Sequence, residues 1–176
     1  MVNNLASLQT IVNMNTDQFG LFSQLDPRWY RERLGETIYT IKEWGCTICA
    51  IAMMIFALLG KIVFPSELAK IFKFLSNGKL IWSSVHYSHG GKTLKFTHRV
   101  RNQRPSFSQM TKYANEPHLG MLLEINNGSH WVFLKKWSVF SLWWYLCGDP
   151  YKYPAKFIKY SKKKITGYAT FELITE

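Results

Sequence analysis

A chain of 176 residues has room for one well-buried domain and not for two ordinary ones. Its 47% hydrophobic and 16% aromatic content supports a packed core, and its formal net charge of +11 gives a surface drawn to polyanions. Three cysteines without framework spacing exclude a disulfide-stapled secreted module and leave at least one thiol free, as suits a reducing compartment or a reactive role.

Met1 to Asn4 carry no lysine or arginine, and Ser7, Gln9 and Thr10 interrupt the apolar residues between Leu5 and Val12. No signal peptide is therefore expected, and the chain is read as cytoplasmic or released without one. Residues 1–19 are taken as a leader segment and residues 20–176 as a single domain. The first 45 residues read as loop-rich with one short helix. The apolar run Cys46 to Leu59, closed by Gly60-Lys61, predicts a buried core helix. Its fourteen residues fall short of the roughly 20 that cross a bilayer, so no membrane span is expected. Ser66, after Pro65, predicts a helix start, with the end near Leu75 before Asn77-Gly78.

After the break at Gly90-Gly91 come a strand at residues 93–97, a short helix at 106–114, and strands at 120–125 and 131–135 flanking the hairpin signal Asn126-Asn127-Gly128. Strands at 141–147 and 165–173 complete a mainly antiparallel sheet. Helices first and strands afterwards predict an α+β domain whose cleft lies where the helical part meets the sheet. The positive charge is uneven. No acid occurs between Glu67 and Glu116, a stretch that holds Lys70, Lys73, Lys79, Lys92, Lys95, Arg99, Arg101, Arg104 and Lys112. A second cluster runs from Lys152 to Lys164. Such a field suits an anionic polymer as partner, or simply a solvated surface.

Three residues in chain order carry chemistry. Cys46 opens the apolar helix, where the helix N-terminus and a neighbouring imidazolium are the usual means of activating a thiol. His130, alone of five histidines, opens a hydrophobic strand. Asp149 follows on the expected adjacent strand and would accept the imidazole N–H, fixing its tautomer and favouring its charged form. Together they form a cysteine-nucleophile triad for acyl transfer that needs neither metal nor cofactor.

Gln24-Leu25-Asp26-Pro27-Arg28-Trp29, Trp44-Gly45-Cys46-Thr47, Gly90-Gly91, Ser129-His130-Trp131-Val132 and Gly148-Asp149-Pro150 resemble the peptidase C39-like family of the papain-like superfamily, over roughly residues 22 to 173. The resemblance implies a papain-like fold, with Cys46 as nucleophile, His130 as base, Asp149 as orienting residue and Gln24 with the Cys46 backbone N–H as the oxyanion hole. Domains of this kind include leader-peptide processors, cell-wall-associated enzymes and phage proteins, so the resemblance says little about substrate, and it is the basic charge that turns the expectation towards bacterial cell-wall peptides and a phage or bacterial lytic role. Peptide processing is the alternative, although no ATP-transporter segments of the bacteriocin-exporter type accompany the motifs.

Three further readings remain open. Transfer to an amine instead of water would use the same triad. Cys46, Cys49, Cys147 and His130 would supply four ligands of zinc type, though the first two lie in a helical apolar run where Cys49, like Cys147, is expected to pack. The basic, aromatic-rich surface would also suit nucleic acid, but Trp131, Phe133, Trp143 and Tyr145 recur with period two, as in a sheet core or cleft wall.

Overall fold

The computed structural model describes residues 20–126, 128–135 and 144–175. The proposed leader and Trp143 lie outside them. Helices α1 (Ile41–Trp44), α2 (Cys46–Leu59) and α3 (Pro65–Ile71) come first. Strands β1 (His86–His89) and β2 (Lys92–Arg101) follow, then helix α4 (Phe107–Asn115). Strands β3 (Leu119–Ile125), β4 (His130–Leu134), β5 (Trp144–Asp149), β6 (Lys156–Ser161) and β7 (Ile165–Thr175) complete the chain. Among the described residues the strands form one seven-stranded sheet in the order β1-β2-β7-β3-β4-β5-β6, with every pairing antiparallel. The protein is thus an α+β domain with N-terminal helices packed against an antiparallel sheet.

Helix α2 is the spine. Its residues from Cys46 to Ile55 are all buried, because the run is apolar on every side and no face has to meet water. Gly60, left-handed at φ 65°, closes it with an N–H bond to the Phe56 carbonyl. The helix packs on β3, β4 and β5, and its close approach requires Gly120 and Gly148, where a Cβ would collide with the Met54 and Met53 side chains respectively. On this face Leu122, Trp131, Phe133, Ala169 and Phe171 join the helix in one apolar cluster. On the other face Met110 and Ala114 of α4 cover Leu123, Ile125, Val132, Leu134, Tyr145 and Cys147. Both faces of the central strands are therefore buried, which is why β3 reads as an unbroken apolar run apart from Glu124.

Several boundaries differ from the sequence expectation. The one short helix expected in the first 45 residues is Ile41–Trp44, and residues 24–30 form turns. Helix α3 is capped at Phe64 with Pro65 in its first turn and stops at Ile71, because Phe72 turns extended and a bridge pairs Phe74 with Leu80. Gly90-Gly91 is the turn of the β1–β2 hairpin, and His86, His89 and His98 lie on its two strands. Strand β6 is not predicted from the sequence, because its lysines interrupt the apolar residues Phe157, Ile158 and Tyr160. The predicted hairpin is present, pairing Leu122 with Phe133 and Ile125 with His130. Part of the predicted 141–147 strand lies outside the described residues, and the observed strand runs on to Asp149.

Candidate active site

The site forms where α2 begins and β4 and β5 run alongside each other. Register pairs Phe133 with Gly148 and Leu134 with Cys147. Continuing that register sets Asp149 opposite Val132, diagonally across from His130 on the same face. The two side chains meet: His130 Nε2 lies 2.7 Å from Asp149 Oδ1. The carboxylate is buried and fully partnered. Oδ1 also accepts the Tyr151 N–H at 2.8 Å, and Oδ2 accepts the Tyr160 hydroxyl at 2.5 Å. The Tyr151 ring stands edge-on to the His130 ring at 5.8 Å.

Cys46 is the first residue of α2 and is 9% exposed. Its sulfur is close enough to the His130 ring to favour the charged imidazole through hydrogen bonding and charge. Gly45 makes this entry possible. Its N–H caps α1 on the Ile41 carbonyl, and a Cβ at this position would run into that carbonyl oxygen and the Ile41 side chain. Gly45→Ala is expected to cost about 2 kcal/mol through the forced backbone shift. Because the shift falls on the residue before Cys46, alkylation of that thiol should slow as the urea midpoint drops.

Gln24 joins the segments that carry these residues. Its backbone N–H donates to the Pro150 carbonyl at 2.9 Å, next to Asp149, and its side-chain amide donates to the Lys42 carbonyl at 2.7 Å, in the turn before Cys46. The Ser23 hydroxyl donates to the same Pro150 carbonyl at 3.1 Å. The segment is held rigid by the Trp29 indole on the Ser23 carbonyl and by the Arg28–Asp26 ion pair over the Trp29 ring. One hydrogen of the Gln24 amide nitrogen remains free of these bonds. Its Oε1 is buried without a partner among the described residues.

Burial opposes a charge on His130, yet the hydrogen bond to Asp149 and the contact with Cys46 outweigh it, and the group is raised to about 9. Burial likewise works against the Asp149 anion, but His130, Tyr160 and the Tyr151 N–H hold its carboxyl below the usual range. The linkage signs follow. His130 contributes stability that is full below its unfolded value of 6.5 and is lost as pH rises through about 9. Asp149 contributes stability present above its unfolded value of 3.8 and lost as pH falls through its depressed folded value. Thermal melts should therefore show a falling midpoint between pH 6.5 and 9 that His130→Asn removes.

Cys49 and Cys147 sit in opposite cores, one on each side of the sheet, where burial pushes both thiols up. Among the described residues no group of three or more His, Cys, Asp or Glu side chains is disposed to hold a metal. The four zinc-type ligands considered from the sequence do not come together as such a group.

Tyr160 escaped the sequence reading because strand β6 did. Its hydroxyl, raised by burial and then by the neighbouring Asp149, stays protonated as a donor. For the hydrolysis proposed below, Tyr160→Phe should lower kcat roughly tenfold with KM little changed, the size of one charged hydrogen bond. A purely structural role would leave the acidic limb of the pH–rate profile in place, whereas loss of this donor shifts it upward.

Beside Cys46 lies a cleft of about 520 Å³ whose lining includes Trp82, Arg99, Glu124 and Trp131. Glu124, a lone acid in the apolar run of β3, was the legible signal for this feature. Arg99 pairs with it at 2.5 Å and lies over both indoles, 5.3 Å from Trp82 and 4.9 Å from Trp131. Gly167, paired with Glu124 in the sheet, leaves the room that the carboxylate occupies.

Comparison with protein-family models, with curated proteins and with solved structures gave no match.

Proposed function

We propose that the chain is a cysteine peptidase or amide hydrolase of papain-like design, akin to the C39-like peptidases. The observation that carries this reading is His130, bonded to Asp149 at one ring nitrogen and flanked by the Cys46 sulfur at the start of a helix. In this mechanism His130 takes the Cys46 proton as the sulfur attacks a peptide or amide carbonyl carbon. A C–S bond forms, and the carbonyl electrons move to oxygen. The free amide hydrogen of Gln24 and the Cys46 backbone N–H stabilise that oxyanion. His130 then delivers its proton to the leaving nitrogen as the C–N bond breaks, which leaves a thioester. Water, giving a proton to His130, attacks the thioester and releases the acid and the thiol. Asp149 stabilises the imidazolium and orients it. No cofactor takes part.

The basic stretch on β2 supports peptides in an anionic setting, such as those of a bacterial cell wall, as substrate. No helix among the described residues is long and apolar enough to cross a membrane. The test is incubation with soluble peptides and with peptidoglycan fragments, followed by acid quench and intact-mass analysis. The expected result is cleavage together with a transient acyl adduct on Cys46. No cleavage across the panel, combined with iodoacetamide labelling of Cys46 no faster than that of Cys49 and Cys147, would overturn the proposal.

A further inference from the structure

The cleft beside Cys46 has an unequal charge balance that the catalytic groups do not use. Its wall is already neutral, because Arg99 gives its charge to Glu124 and its guanidinium face to Trp82 and Trp131. The two indoles lie 4.9 Å apart, so the wall is aromatic and its groups are locked together. The cleft is also lined by Lys79 and Arg101. Both are exposed, and neither has an acidic partner among the described residues. They reach the cleft from opposite sides in sequence, Lys79 from the turn after α3 and Arg101 from the end of β2. The volume of about 520 Å³ is ample for a short peptide segment.

We infer that this cleft selects a peptide substrate bearing a carboxylate side chain close to the scissile bond, with the methylenes lying against the half-buried Trp82 and the carboxylate meeting Lys79 and Arg101. The inference rests on the hydrolase reading and specifies its substrate class. Arg101 is suited to grip a carboxylate through two N–H donors, while Lys79 adds an unfixed second charge. Because both charges are solvated, the selectivity is moderate and sensitive to salt.

The test uses N-chloroacetyl dipeptide amides that alkylate Cys46 and carry Glu, Ala or Lys, with rates followed by intact mass and Cys46→Ala as control. The Glu probe should label Cys46 about three- to tenfold faster than the Lys probe at low salt, and the ratio should shrink in 0.5 M NaCl. In Lys79→Glu/Arg101→Glu the Glu-to-Lys ratio should fall to one or below, and Lys79→Arg/Arg101→Lys should restore it. A ratio that is the same in the native protein and the charge-reversed variant, with melting temperatures unchanged, overturns the inference. The two readings fail separately. A Glu preference in labelling without hydrolysis of any peptide or amide rejects the hydrolase and leaves the cleft assignment standing. Hydrolysis without charge preference rejects the cleft assignment alone.

Discussion

Cys46→Ala is expected to reduce kcat/KM on a cleaved peptide by about 10⁵- to 10⁶-fold, and His130→Ala by a similar factor, because in the proposed mechanism neither group has a function without the other. The double variant should be no worse than either single one, since a nucleophile without its base is already disabled. Asp149→Ala should cost less, about 10⁴-fold, as the residue orients and stabilises without reacting. In this protein the loss goes beyond one bond, because the same carboxylate anchors His130, the Tyr151 N–H and the Tyr160 hydroxyl. Cleavage-rate measurements on purified variants with unchanged melting temperatures decide the matter. Full activity in Cys46→Ala would end the assignment.

The second large effect falls on stability. Glu124 is 4% exposed on the middle strands of the sheet, and Arg99 is its ion-pair partner among the described residues. Arg99→Ala should destabilise the fold by about 3 kcal/mol, as expected when a carboxylate stays buried after its cation is removed. The loss also includes packing of the guanidinium on two indoles. Arg99→Met combined with Glu124→Leu should recover most of that loss, since two apolar groups of similar size leave no charge to desolvate. Urea unfolding of the single and double variants measures the coupling. Additive losses in the double variant would mean that the two residues act independently.

The parts of the molecule that were readable from sequence are those where one physical signal acts alone. The apolar run from Cys46 to Leu59 predicts its helix to the residue, because continuous apolarity between a glycine on each side permits little else. Asn126 and Gly128 mark the β3–β4 hairpin, and the relation of His130 to Asp149 follows from adjacent strands. Where signals competed, the sequence was opaque. Six lysines between residues 152 and 164 outweigh the aliphatic and aromatic residues of β6, so Tyr160 stayed hidden. Pairing of β2 with β7 crosses some 70 residues, and no local pattern carries it. The link from Gln24 to Pro150 and Lys42 is equally non-local, although it decides how the candidate residues are held.

That link has a further consequence. The Pro150 carbonyl receives both the Ser23 hydroxyl and the Gln24 backbone N–H, so residues from near the start of the described chain fasten its late turn like a clasp. Leu21, Phe22 and Trp29 of the same segment lie in the apolar cluster built on the long helix, so the clasp closes as that cluster packs and couples the segment's burial to the position of the late turn that follows Asp149.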